Sequence, residues 1–149
     1  MIVRHCAGGV VFYANKVLLL KNDKGEWTLP KGKIKDGTLS KESAVSRVKE
    51  ETGVDAHILD SAGDTMYEFF SRSRQQTVTN AVTWYVMEAQ NINYTIRDDF
   101  KDGGLFKVKE ALKMFSHNTE TSLVEISYKK YKEIKKNSCD DGSVALNYK

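Results

Sequence analysis

A chain of 149 residues, 40% hydrophobic and 29% charged, has the length and balance of one globular domain with a sizeable core. Its formal net charge of +3 is too small to argue for a nucleic-acid binder on charge alone, but it suits a polyanionic ligand. The two cysteines, Cys6 and Cys139, are far apart and form no C-x-x-C pair, which argues against a zinc site or a disulfide framework and makes a reducing cytoplasm the expected location.

The N-terminal stretch "MIVRHCAGGVVFYANK" has a basic start and a short apolar run, like a secretory leader, but Gly8, Gly9 and Lys16 break the run. It reads better as a strand. "GGVVFYANKVLLLKN" then predicts a hairpin, with Val10–Tyr13 and Val17–Leu20 buried on both faces because they do not alternate. "NDKGEW" is a polar turn, and "TLPKGKIKDGT" a loop around the chain's only proline, Pro30.

A helix follows, with Ser40 as the expected N-cap, Glu42 in the first turn and Gly53 as the stop. Its periodicity gathers Ala44, Val45, Val48 and Thr52 on one side and Ser43, Arg47, Glu50 and Glu51 on another. "HILDSAGDTMYEFFS" and "VTNAVTWYVMEAQ" predict two strands around the basic loop "RSRQQ". "RDDFKDGG" reads as an acidic loop and "KVKEALKMF" as a short helix. "TSLVEISYKKYKEIKK" reads as an amphipathic helix packing through Leu123, Val124, Ile126, Tyr128, Tyr131 and Ile134. One domain over 1–136 with a loose polar tail over 137–149 is the expected organisation. No apolar run approaches the ~20 residues of a membrane-spanning helix, so no membrane partner is expected.

The chemistry concentrates in a glycine-containing loop followed by a helix ending in Glu-Glu-x-Gly. Acids at helical spacing present several oxygens to a hard cation, and Mg²⁺ prefers oxygen ligands. Arg47 interrupts that face with a group that cannot coordinate a cation, though it can pair with Glu50 or Glu51 or hold a phosphate.

These residues resemble the Nudix (MutT-like) family. Its box, G-x5-E-x7-R-E-U-x-E-E-x-G-U with U a bulky aliphatic residue, fits from Gly32 to Val54. Gly32, Val48, Glu50, Glu51, Gly53 and Val54 match, whereas Thr38, Ser46 and Arg47 stand where the pattern has Glu, Arg and Glu. "AGGVVF" and "KVLLLKN" resemble the family's first core strands, and "LFKVKEALKMF" its Trp-Phe-x-x-x-Glu-Ala-Leu segment with Leu105 in the tryptophan's place. "WTLPKGKI" is similar to the loop of diadenosine polyphosphate hydrolases, diphosphoinositol polyphosphate hydrolases and mRNA-decapping enzymes.

The resemblance implies an α+β fold, an α/β/α sandwich with a mixed sheet between helices. It implies a hydrolase that cleaves a pyrophosphate bond in a nucleoside diphosphate-linked small molecule with Mg²⁺ or Mn²⁺. A dinucleoside polyphosphate or a capped RNA is the expected substrate. Glu50 and Glu51 would be catalytic metal ligands, joined by a loop acid, for which Asp102 has the best spacing ahead of Asp98, Asp99 and Glu68. Lys31, Lys33, Arg47 and Arg72 would contact phosphate, with Lys35 and Arg74 beside them; Tyr67, Phe69 and Phe70 read as core before base-stacking platform, and the three histidines as structural. The degenerate box also supports an alternative: a weak or inactive domain that binds nucleotide or RNA as a sensor or accessory factor.

Overall fold

The computed structural model describes the backbone of residues 2–148 and the side chains of residues 2–137. A mixed seven-stranded sheet forms its middle layer. Strand β1 (Ile2–Tyr13) turns through Ala14 and Asn15 into β2 (Lys16–Lys21), and short strands β3 (Trp27–Thr28) and β4 (Lys31–Lys33) precede helix α1 (Ser40–Thr52). Strands β5 (Ala56–Ser71) and β6 (Gln76–Ala89) form a long antiparallel hairpin, with register shifts between Ile58 and Asp60 and between Ser61 and Gly63. β7 (Asp102–Lys107), helix α2 (Val108–Ala111) and helix α3 (Asn118–Tyr148) complete the chain.

The sheet order is β3-β2-β1-β6-β5, with β4 against β1 and β7 against β2. β1 and β6 run parallel, from Ile2 opposite Val78 to Phe12 opposite Glu88. Every other contact between strands is antiparallel.

The two-residue period of β1 divides the core into two layers. Cys6, Val10 and Phe12 face Leu123, Val124 and Tyr131 of α3. Ala7 and Val11 face Ala44 and Val48 of α1. Both faces are therefore covered, and Val10–Phe12 and Val17–Leu20 are fully buried as their unbroken apolar runs require. Tyr13, at the hairpin turn, is exposed. Burying a side chain such as Val48 contributes about 1.5–3 kcal/mol, so Val48 holds α1 to the sheet far more firmly than any ion pair on its outer face.

Four local expectations need correction. Leu39, not Ser40, is the N-cap of α1: its backbone N–H donates to Glu42 Oε1 at 3.2 Å, while the Ser40 hydroxyl is taken by Tyr85. Asp102 does not lie in a loop but opens β7 opposite Lys21. The short helix after it shrinks to one turn, Val108–Ala111. On α3, Ile126 points to solvent and Ser127 takes the buried place beside Val124. The last case is one of phase: Leu123, Val124, Ser127 and Tyr131 follow the spacing of a single buried stripe, and Ile126 falls outside it.

The reading of 137–149 as a loose tail falls almost wholly on residues whose side chains lie outside the described set. Among the described residues, no helix is long and apolar enough to cross a membrane.

Candidate active site at the end of the first helix

Gly53 ends α1 in the left-handed region, at φ 73°, and its N–H closes the last turn onto the Lys49 carbonyl at 2.9 Å. A side chain is doubly unfavourable here, because a Cβ would also lie 3.1 Å from the Thr95 backbone nitrogen. That close approach lets the 90–101 segment cap the helix. Thr95 N–H donates to the Thr52 carbonyl at 2.8 Å, and Arg97 N–H to the Glu51 carbonyl at 2.9 Å.

The two glutamates occupy different environments. Glu51 lies on the inner face with Val48 and Thr52 and is 5% exposed, so the side expected to gather Ser43, Arg47, Glu50 and Glu51 is split, with Ser43 and Glu51 buried and Glu50 exposed. Its Oε1 is buried with no hydrogen-bond partner. Its Oε2 lies 3.8 Å from Arg97 NH2. Burial pushes the Glu51 carboxyl up to about 7, with the charges of Arg97 and Lys31 and the Lys31 backbone N–H opposing that rise.

Glu50 faces outward and is neutralised from two sides. Lys35 Nζ donates to Oε1 at 2.9 Å, and Arg47 NH1 to Oε2 at 3.3 Å. The Lys35 hydrogen bond holds this carboxyl below its ordinary value. Arg47 thus forms the expected intrahelical pair, but its stronger attachment is to the loop: Nε and NH2 donate to the Lys33 carbonyl at 3.2 and 2.7 Å.

The box loop is shaped by small groups. Thr38 Oγ1 donates to the Lys35 carbonyl at 2.6 Å and lies 2.8 Å from Ser43 Oγ. A cavity of about 110 Å³ remains among Thr38, Ser43, Ser46 and Arg47, where the box pattern would supply longer side chains. Lys31 Nζ sits 3.5 Å from Thr28 Oγ1 and 5.9 Å from the centre of the Tyr67 ring. Arg72 is exposed at the hairpin tip, and Arg74 lines a groove together with the box loop. Tyr67, Phe69 and Phe70 are exposed on β5, so they are not core residues.

The remaining acids do not join the pair. Asp102 Oδ1 accepts from the Gly103 N–H at 2.8 Å, and Asp99 is held by Arg97 Nε at 2.6 Å. Among the described residues, no three His, Cys, Asp or Glu side chains stand together as a metal-holding group.

Arg97 is the residue that the sequence reading missed. It opens the segment read as an acidic loop, where only the acids were weighed. Its sole sequence signal was a cation placed just ahead of Asp98 and Asp99.

The donor chemistry fits one hard cation. Glu51 Oε1 is an orphaned, buried carboxylate oxygen, and Glu50 is held partly by an ammonium on a flexible stem that is 56% exposed. Mg²⁺ commonly takes one or two carboxylates and completes its shell with water and substrate phosphate. The arrangement does not fit a cluster of several cations, because Arg47 holds its charge among these groups and a third acid is lacking among the described residues.

Comparison with known proteins agrees with this architecture. The family model of the NUDIX domain matches residues 3–125. Among solved structures, the chain resembles a C. elegans Ap4A hydrolase at 17% identity and a TM-score of 0.68, covering 86% of this chain and 96% of that one. It resembles a MutT protein from Methanosarcina mazei Go1 at 18% identity and a TM-score of 0.67, covering 88% and 96%. The E. coli dihydroneopterin triphosphate pyrophosphohydrolase aligns at 15% identity and a TM-score of 0.66, covering 84% and 96%. At these identities the likeness establishes the fold.

Proposed function

The chain belongs to the Nudix family, and we propose from that premise that it is a divalent-metal-dependent hydrolase of a pyrophosphate bond in a nucleoside diphosphate-linked small molecule. The observation that carries this reading is Glu51 Oε1, a buried carboxylate oxygen with no partner, at the C-terminal end of the box helix. A buried acceptor left alone is costly, and a cation removes that cost.

Glu51 would hold the cation, with Glu50 joining once Lys35 moves aside. Mg²⁺ or Mn²⁺ supplies charge neutralisation at phosphate and lowers the pKa of water. Arg47 and Lys31 would contact phosphate oxygens, since a guanidinium offers paired donors to a phosphate. The Arg97 guanidinium favours the ionised form of Glu51, which a cation needs, while the Thr95 and Arg97 backbone N–H groups hold the 95–97 segment on the helix end. Burial of Glu51 keeps bulk water from screening these interactions.

The neighbours' names bear on substrate. One is an Ap4A hydrolase and another acts on dihydroneopterin triphosphate. Both names specify phosphate chains longer than two, whereas a neighbour from Streptococcus suis is an ADP-ribose pyrophosphatase, so what the names share is a pyrophosphate bond and not a chain length.

A second reading rests on a different observation. Both oxygens of Glu50 are already held by cations, and a site charged in this way can bind phosphate without metal. In that case the protein is a nucleotide- or RNA-binding domain with weak or no turnover. Calorimetric titration of Mn²⁺ into the protein, beside Glu51→Gln, separates the two. The hydrolase reading expects one Mn²⁺ site in the parent and none in the variant. The binding-domain reading expects no site in either and nucleotide binding that survives EDTA.

A further inference from the structure

A groove of about 430 Å³ lies beside the box loop, within the size range of ligand pockets. The pairing of β4 with β1 ends at Cys6, so Ile2–Arg4 have a strand partner only on the β6 side. That open edge of β1 forms the floor. The loop carrying Lys33, Lys35 and Asp36 forms one wall, and Arg74 at the tip of the β5–β6 hairpin closes the other end.

The charges here are unbalanced. Arg4 also borders the groove, but its guanidinium is committed to Asn80 Oδ1 at 2.9 Å and to the Phe69 ring. Lys33 and Arg74 remain, and neither has a carboxylate within ion-pair distance among the described side chains. Among the described residues, Asp36 is the only acid that lines the groove. Lys33 and Arg74 against the single charge of Asp36 leave the groove positive, and a positive concave surface attracts anions.

Lys35 joins this groove to the cleft. It lines the groove, and its ammonium is 2.9 Å from Glu50 Oε1. An anion in the groove and an anion beside Glu50 would share the same cation. We infer that the groove is a subsite for the distal phosphates of a polyphosphate chain whose proximal phosphates lie at Glu50 and Arg47. The inference deepens the proposed function, on which it rests, by naming the substrate class: compounds with a linear chain of three or more phosphates, favoured over those whose diphosphate ends in a neutral sugar.

The subsite contributes two freely available cations, so affinity rises with chain length. The test is calorimetric binding of inorganic pyrophosphate and tripolyphosphate in EDTA, which removes metal and turnover from the readout. The parent protein is expected to bind tripolyphosphate about tenfold more tightly than pyrophosphate, a gain of about 1.4 kcal/mol. Arg74→Ala, a change at an exposed tip, should remove most of that gain, and Arg74→Glu should reverse it. Lys109→Ala, which removes one positive charge on α2, is expected to keep it.

Equal affinity for the two anions in the parent overturns the subsite and leaves the cleft reading intact. So does an Arg74→Ala protein that still prefers tripolyphosphate tenfold, or a Lys109→Ala protein that loses the preference as Arg74→Ala does. Binding of neither anion in EDTA also overturns the subsite, whose cations act without metal, whereas failure of the cleft reading is read separately, as absence of the Mn²⁺ site from the parent.

Discussion

Arg47 lies directly against Gly32. A Cβ built at position 32 would stand 2.5 Å from both Cδ and Nε of Arg47, well inside the closest approach of real side-chain carbons. A side chain at position 32 is therefore disfavoured by the arginine that replaces a box glutamate, because Arg47 would have to give up its hold on the Lys33 carbonyl to make room. The loop and the helix are locked by the same contact, since Arg47 reaches past Gly32 to the Lys33 carbonyl.

Gly32→Ala is accordingly expected to destabilise the fold by about 1–3 kcal/mol through overpacking. The effect should shrink in an Arg47→Ala background, where the clashing atoms are gone. Urea denaturation of the parent, the two single variants and the double variant measures this coupling. Additive losses would mean that the contact is not responsible.

Arg47→Glu exchanges a structural lock for a third acid. The variant should lose about 1–2 kcal/mol of stability, because two hydrogen bonds to Lys33 disappear and carboxylates gather. Its Mg²⁺-dependent turnover should nevertheless rise by about tenfold or more, equivalent to about 1.4 kcal/mol of barrier. Steady-state kinetics at saturating Mg²⁺ checks this. Unchanged turnover would mean that the arginine already serves the reaction.

The buried Glu51 ties stability to pH. Its carboxyl is raised from the ordinary 4.5 to about 7 by burial. The folded state therefore binds this proton more tightly than the unfolded state, and stability falls as pH rises from about 4.5 through 7. The full loss amounts to about 3 kcal/mol at 1.36 kcal/mol per pH unit. Glu51→Gln should be more stable than the parent at pH 8 and nearly equal to it at pH 4.5. Urea midpoints at the two pH values read the difference.

Ser127 Oγ is buried on α3 without a partner. Replacing it with alanine removes an unsatisfied polar atom and leaves the packing otherwise unchanged. Ser127→Ala should stabilise the protein by about 1 kcal/mol, seen as a higher melting temperature. A loss of stability would reveal a hydrogen bond that the static structure does not contain.

The sequence was most legible where one local rule decided the outcome. Gly53 stops the helix because only a glycine fits both its left-handed backbone and the approach of Thr95. The runs Val10–Phe12 and Val17–Leu20 are buried on both faces because nothing polar interrupts them. It was least legible where tertiary contact decided. Ser40 has the chemistry of an N-cap, but Tyr85, forty-five residues away, takes its hydroxyl. Glu50 and Glu51 are neighbours in sequence, yet 100° of helical rotation puts one in solvent among cations and the other under the 95–97 segment. Arg97 reaches Glu51 only because that segment folds back over the helix end, a contact with no local signal. Asp102 had suitable spacing, but its place opposite Lys21 is set by the β2–β7 register.

The central claim is that Glu51 makes this a metal-dependent hydrolase, and the most direct test compares one substitution under one condition. A dinucleoside tetraphosphate is incubated with Mg²⁺ and either the parent or Glu51→Gln, and nucleotide release is followed. The account predicts Mg²⁺-dependent release by the parent that falls by at least about a hundredfold in the variant, a loss of about 2.7 kcal/mol of transition-state stabilisation. Release that is unchanged in Glu51→Gln, or a parent that binds the compound tightly in EDTA and never cleaves it, would contradict the claim.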